Sequence, residues 1–314
     1  MPDKSLRMRR VGGRGLVERP VMLAIAGDSA AGKTTMTRGL VEALGRDRCV
    51  SLCTDDYRRF DREERTELPF TALHPDGNHL DIMEQHLQLL ATGNPVLKPV
   101  YDHATGELVR PELVEPAEFV IVEGLFPLWS RLSRACFDVT AFLDPPEEIR
   151  RGWKVARDTA ERGYTEEKVL AELERREEES AAYIRPQRQN ADLVVRFAPI
   201  EGRDDPEGTA LSASLMMRPT IDHPDLNEVL QSGLTRAMHL KLERDPDGRP
   251  VETLHVHGYV PREESLAVEK AIWSALGEPD TATPECLGRL GDARSEPLAI
   301  AQLLLLYHLT DAAR

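Results

Sequence analysis

Gly27 to Thr34 reads GDSAAGKT and fits G-x-x-x-x-G-K-[ST]. Each fixed position in that spacing has a task in holding phosphate. Gly27 and Gly32 let the backbone turn its N–H groups toward phosphate oxygens, Lys33 reaches the outer phosphates, and the Thr34 hydroxyl is a magnesium ligand. The backbone of Asp28, Ser29, Ala30 and Ala31 completes the cradle. Thr35 continues it into a helix whose N-terminal dipole favours the same anion. The pattern predicts a nucleoside triphosphate site.

A second cluster lies in CTDDYRRFDR, where Asp55 and Asp56 precede Arg58, Arg59 and Arg62. A kinase that phosphorylates a hydroxyl needs a carboxylate to take the proton and carboxylate ligands on the metal side. Asp55 is read as the base and Glu123, at the end of an apolar run, as the metal-side carboxylate. Asp56 has an equally good reading as a helix cap. Guanidiniums pair bidentately with phosphate, so arginines this close to a phosphate loop suggest an acceptor that is itself a phosphate ester. A third cluster, WKVARDTAERGYT, puts Lys154, Asp158 and Arg162 at i, i+4 and i+8 with Arg157 adjacent. That spacing serves a salt-bridge ladder on one helix face. It also suits a lid: Arg157 to Glu179 is dense in charge, poor in apolar anchors, and able to close over nucleotide and exclude water.

The elements that must position these groups are legible from periodicity. Val21 onward is a short apolar strand, followed by the loop and an amphipathic helix carrying Met36, Leu40 and Leu44. CVSLC and FVIVEG are further strands, FVIVEG preceded by a long insertion, and VTAFLD and LVVRF are candidates for a fourth and a fifth. Short apolar runs alternating with helices predict an α/β fold of the P-loop NTPase type, a mostly parallel sheet with helices on both faces. Ligands collect at the carboxyl ends of such strands, where Asp55, Asp56 and Glu123 fall. Beyond a linker, EGRDDPEG, the chain turns strand-like in LSASLMMR, AMHLKLER and ETLHVHGYV, the last two flanking DPDGRP as a hairpin. His255 and His257 face one side with His239 opposite, a pattern that fits a polar strand face better than a metal site. Helices over 262–276 and 297–312 close the chain. The expected division is a disordered basic leader over 1–20 with Arg7, Arg9, Arg10 and Arg14, a kinase core over 21–204 with a lid at about 157–186, and a sheet extension over 205–314.

Composition sets the outer limits. A formal charge of -14 argues against binding along a nucleic acid backbone, so an anionic substrate must be met by a local basic cluster. No run approaches the roughly 18 apolar residues of a membrane span. Four scattered cysteines form no disulfide framework, and a cytoplasmic protein is expected. Cys49 and Cys53, four residues apart on a strand, are separated by about 13 Å, beyond the roughly 7 Å reach of a disulfide.

Seven segments in order, GDSAAGKTT, TDDYRRFDR, TALHPDGNHLDIMEQH, KPVYDHATG, FVIVEGL, WKVARDTAERGYT and YIRPQRQNADLVV, resemble the phosphoribulokinase branch of the phosphoribulokinase and uridine kinase family. The resemblance spans about Val21 to Phe197. It implies ATP-dependent, magnesium-assisted phosphorylation of the 1-hydroxyl of D-ribulose 5-phosphate by a homodimer extended through its C-terminal strands. It further implies Asp55 as base, Lys33, Lys154 and Asp158 as catalytic, and Asp158 tied to metal. Arg62, Arg157 and Arg162 match basic residues of the substrate site, and Tyr101 and His103 the lining of the sugar pocket. Two positions depart from the family. Arg58 stands where a histidine is usual, and Ala31 replaces the phosphate-loop cysteine that, in the thioredoxin-regulated plant members, pairs with the position held here by Cys53. Disulfide control of that type is not expected. The alternatives are a kinase of another sugar phosphate or of uridine, and a catalytically silent nucleotide-binding regulator.

Overall fold

The computed structural model describes residues 19–203, 209–231, 236–276 and 283–314. The leader, apart from its last two residues, and residues 204–208 of the linker lie outside them. In chain order, β1 (Val21–Gly27) runs into α1 (Lys33–Leu44) and β2 (Cys49–Cys53). Next come α2 (Leu80–Ala91), β3 (Val96–Tyr101), β4 (Leu108–Val114), β5 (Phe119–Gly124), α3 (Arg131–Arg134) and β6 (Val139–Leu143). The charged helices α4 (Glu147–Arg162) and α5 (Glu166–Glu179) lead to β7 (Leu193–Ala198), β8 (Ser212–Met217) and α6 (Asn227–Gln231). The chain ends with β9 (Met238–Arg244), β10 (Pro250–Val256), α7 (Arg262–Ala275) and α8 (Glu296–Ala312). Among the described residues no helix is long and apolar enough to cross a membrane.

The described residues form two units. The unit of residues 19–33 and 47–191 carries the parallel sheet: β1 lies between β5 and β6, and β2 pairs with β5, all parallel. β1 and β6 are buried along their whole length, which is why they read as continuous apolar runs rather than alternating ones. Met22, Leu52, Val120 and Val122 build its core with Met83, Leu87 and Leu90 of α2 and with Val96 and Val114. The long insertion thus contributes an unforeseen helix and the β3–β4 hairpin. The α4 helix opens with Glu147 and Glu148 and stops at Gly163, whose φ of 67° a side chain would disfavour. On α5 only Val169 and Leu173, one turn apart, are buried.

The other unit holds residues 34–46 and the described residues from 192 on. Its strands are antiparallel in the order β7-β8-β10-β9. LVVRF is therefore the start of the antiparallel part. The segment AIAQLLLLYHL is inside α8, where every residue from Pro297 to Thr310 is buried. His239 faces His255 across the β9–β10 pair with rings stacked 4.9 Å apart, and His257 lies 5.4 Å from His239. Among the described residues no three His, Cys, Asp or Glu side chains are arranged to hold a metal ion.

Candidate active site

The phosphate loop leaves β1 at Gly27, where a β-carbon would meet the Leu143 carbonyl oxygen at 2.8 Å. Gly32 needs its glycine for a φ of 95°, and Ala30 also holds a left-handed φ of 63°. Two left-handed residues in so short a loop fold its N–H groups into a concavity suited to anions. Lys33, buried, donates from Nζ to the carbonyls of Gly27 and Asp28 at 3.0 and 2.9 Å. The buried Asp28 carboxylate accepts from the Ser29 N–H at 2.6 Å and from the Ser180 hydroxyl. Arg150 of α4, held by Glu147 at 2.8 and 2.7 Å, donates to the Ser29 carbonyl at 2.9 Å. Ala31 is buried and Thr34 and Thr35 begin α1. In the unit of α8, the Gln302 amide donates to the Thr35 carbonyl at 3.1 Å.

Asp55 stands in the single 3-10 turn that follows β2. Its Oδ1 accepts the Leu125 N–H at 3.1 Å. Burial raises its pKa, but Arg58, Lys33 and His103, with the Leu125 N–H, more than reverse this and hold the carboxyl below the usual aspartate value. Asp55 is therefore ionised at neutral pH. Asp56 caps nothing: it forms an ion pair with the buried Lys98 of β3 and accepts the Tyr101 N–H at 3.3 Å. Lys98 also reaches Glu112 at 3.0 Å. Glu123, register partner of Cys53 and Ile25, joins Asp55 and Asp56 in raising the Cys53 thiol pKa, after burial, well above the ordinary value. Cys53 and the other three cysteines are free thiols.

The arginines separate on inspection. Arg58 is buried and donates from Nη1 to the Ala72 carbonyl and, at 2.8 Å, to Asn78 Oδ1, while its Nε is buried without a partner. It is no solvated phosphate hook; it acts on the site through its charge beside Asp55. Arg59 turns to the Asn78 carbonyl at 2.8 Å and to Asp81 at 3.7 Å. Arg62 donates to the carbonyls of His103 and Ala104 at 2.7 and 3.3 Å, bracing the turn that carries His103. Tyr101 and His103 pack edge to face at 5.0 Å, and the Tyr101 hydroxyl accepts from Arg65 at 2.5 Å.

On α4 the ladder forms, with Lys154 and Asp158 buried and Arg162 partly exposed. Asp158, 2% exposed, accepts from Lys154 at 2.7 Å and Arg157 at 2.8 Å and has Arg162 at 3.4 Å. Three cations on one carboxylate leave an excess of positive charge. Burial, then Arg176, lower the Lys154 pKa to about 8 against the pull of Asp158. His103 brings the clusters together: burial lowers its pKa, Asp55 raises it, and Arg162 and Arg58 lower it again. Lys33, Asp55, Arg58, His103 and Arg162 thus share one electrostatic neighbourhood. Arg59 lies apart from it. Sequence reasoning missed Arg65, Lys98, Arg150, Arg176 and Ser180, since a lone charged or hydroxyl residue carries no local signal.

Whether these residues suit magnesium is a question of donor chemistry. Mg²⁺ takes one or two carboxylates and completes its shell with water and substrate phosphates, so a three-residue protein cage is not required. Glu123, among carboxylates at a strand end, fits. Asp158 is held by cations on both oxygens, Lys154 at one and Arg157 with Arg162 at the other, so a metal role for it would draw on the lone pairs they leave.

A sequence model described as the phosphoribulokinase / uridine kinase family matches residues 22–202, which include every candidate residue above. A phosphoribulokinase of Synechocystis sp. is 39% identical over 202 residues, 64% of this chain and 61% of that protein. The chloroplastic phosphoribulokinase of Triticum aestivum is 34% identical over 220 residues, 64% of this chain and 54% of that protein. The chain thus matches little more than half the length of these relatives. A uridine kinase of Deinococcus deserti is 30% identical over 205 residues, 63% of this chain and 96% of that protein. Among solved structures, a phosphoribulokinase from Rhodobacter spheroides aligns with a TM-score of 0.58 at 18% identity, over 83% of this chain and 95% of that one, a likeness of fold alone.

Proposed function

This chain belongs to the phosphoribulokinase / uridine kinase family, and we propose that it transfers the γ-phosphoryl group of ATP to the 1-hydroxyl of D-ribulose 5-phosphate, giving ribulose 1,5-bisphosphate. The observation that carries this reading is Asp55, an ionised carboxylate pinned by the Leu125 N–H within the field of Lys33, Arg58 and His103.

In this reading the loop from Gly27 to Thr35 cradles the triphosphate and Lys33 turns from its carbonyls to the outer phosphates. Asp55 orients the acceptor hydroxyl and takes its proton as the bond to phosphorus forms. Lys154, Arg157 and Arg162 face the charge that gathers on the transferring group, with Asp158 fixing their spacing. Thr34 and Glu123 would hold a magnesium ion on the protein side, and its chemistry there would be to neutralise phosphate charge. Arg62, Tyr101 and His103 receive the sugar phosphate, and the end of α4 with α5 closes as the lid. His103 supplies hydrogen bonds to the acceptor.

The free thiols accord with a reducing cytoplasmic compartment. For the homodimer, the support is the edge strand β9. Leu242 is 80% exposed between Lys241 and Glu243. Two copies paired antiparallel about Leu242 set Lys241 of each opposite Glu243 of the other and cover the β9 edge. Sedimentation of wild type against Leu242→Asp tests this.

The functional test is magnesium-dependent ADP release with ATP and, in parallel, D-ribulose 5-phosphate, ribose 5-phosphate, xylulose 5-phosphate and uridine. Turnover confined to ribulose 5-phosphate is expected. Activity on another acceptor alone would reassign the substrate, and silence on all four would favour the non-catalytic regulator.

A further inference from the structure

The α5 helix does not stop at a cap. From Glu179 the chain enters a π-helical turn, Ser180–Ile184, and then a 3-10 turn, Arg185–Asn190. A π turn is rare, and such turns recur at functional sites. Here two consecutive residues bond to two different loops.

Ser180, 1% exposed, donates its hydroxyl to Asp28 Oδ2 in the phosphate loop. Asp28 is the residue whose other oxygen fixes the Ser29 N–H at 2.6 Å. Glu179 accepts the Thr71 N–H at 2.8 Å on Oε1 and the Thr71 hydroxyl on Oε2. Thr71 opens the segment whose Ala72 carbonyl and Asn78 side chain hold Arg58 beside Asp55. The π turn and the 3-10 turn after it continue the pattern. The Tyr183 hydroxyl lies 3.2 Å from His74 Nε2, and Gln187 donates to the Leu125 carbonyl at 2.7 Å while accepting the Leu128 N–H at 3.1 Å. Leu125 is the residue whose N–H holds Asp55.

A carboxylate that accepts two hydrogen bonds from one threonine fixes both the position and the orientation of that loop. A buried hydroxyl on a buried carboxylate does the same for the phosphate loop. Because the two anchors are consecutive residues, the last of α5 and the first of the π turn, displacing one loop displaces the other's anchor.

We propose that Glu179 and Ser180 are positioning residues that couple the nucleotide loop to the acceptor segment, so that occupying either site strengthens binding at the other. This rests on the kinase reading for the identity of the two ligands. Coupling of this kind is reciprocal, so nucleotide must tighten acceptor by the same factor as acceptor tightens nucleotide.

The test is calorimetric titration of the full chain with the β,γ-imido analogue of ATP and magnesium, with and without D-ribulose 5-phosphate. In wild type the analogue is expected to bind about 5-fold or more tightly when the sugar phosphate is present. Ser180→Ala and Glu179→Gln should each bring that ratio close to one. Ser180→Thr, which keeps the hydroxyl, should retain it. A merely structural contact would lower the melting temperature and leave the ratio alone. A wild-type ratio of one, or a wild-type ratio preserved in both Ser180→Ala and Glu179→Gln, overturns the coupling. Turnover of ribulose 5-phosphate with a ratio of one sinks the coupling and spares the reaction. Coupled binding without turnover sinks the reaction and spares the coupling. Failure of the sugar phosphate to bind removes both.

Discussion

Raising the pH above neutrality is expected to lower kcat/KM through one side chain, Lys154. Its ammonium is 3% exposed, and burial together with Arg176 and Arg157 outweighs Asp158, taking its pKa from 10.5 to about 8. The limb in kcat/KM reports the free enzyme. About half the charge remains at pH 8 and about a tenth at pH 9, so log kcat/KM should fall by about 0.7 across that interval and approach a slope of one above it. In kcat, which reports the bound enzyme, the nearby polyphosphate favours the ammonium and the limb should sit at higher pH. The assay is initial-rate ADP release from pH 6.5 to 9.5, at saturating and at limiting ATP. Lys154→Arg carries a charge that does not titrate there, so its limb should be missing even though its absolute rate is lower. Identical limbs in wild type and Lys154→Arg would refute the reasoning. The same depressed pKa has a stability side. Below pH 8 the charged lysine is buried at its full cost, and between pH 8 and 10.5 the unfolded chain holds the proton more tightly than the folded one. Stability from this group therefore rises with pH across that window, by about 3 kcal/mol in all.

Asp55→Asn keeps the acceptor for the Leu125 N–H but loses the base, and turnover should drop roughly 100-fold or more with nucleotide affinity nearly unchanged; equal rates would remove the assignment. Arg58→His replaces a fixed cation by a titrating one, so the Asp55 pKa should rise and the acid limb of kcat/KM should move to higher pH. An unmoved limb would show that Arg58 does not set the charge of Asp55. Lys98→Met leaves Asp56 without its buried partner and should cost about 3 to 5 kcal/mol in denaturant unfolding. Much of that loss should return in the double variant with Asp56→Asn. Cys53, with its thiol pKa raised by burial and three carboxylates, should stay reduced under mild oxidation, and a Cys53 disulfide in a peptide map would contradict this.

Some of the site was legible because its physics is local. A phosphate loop works through consecutive backbone N–H groups, so its spacing in sequence is its geometry, and Gly27 to Thr35 could be read directly. The same holds for Lys154, Asp158 and Arg162, since helical periodicity alone puts i and i+4 on one face, and for β1, whose burial on both sides demands an unbroken apolar run. The place of Asp55 directly after a strand could be read in the same way.

What the chain alone did not disclose depends on partners far along it. A run of arginines looks solvated, and Arg58 is buried because a carbonyl and an amide 14 and 20 residues away receive it. Asp56 looks like a cap until Lys98, 42 residues on, claims it. Ser180 meets Asp28 across 152 residues, and Glu179 meets Thr71 across 108. No pattern of neighbours encodes these pairs. Burial raises the cost of leaving a polar group unpaired, and only the tertiary structure decides which distant group meets that requirement.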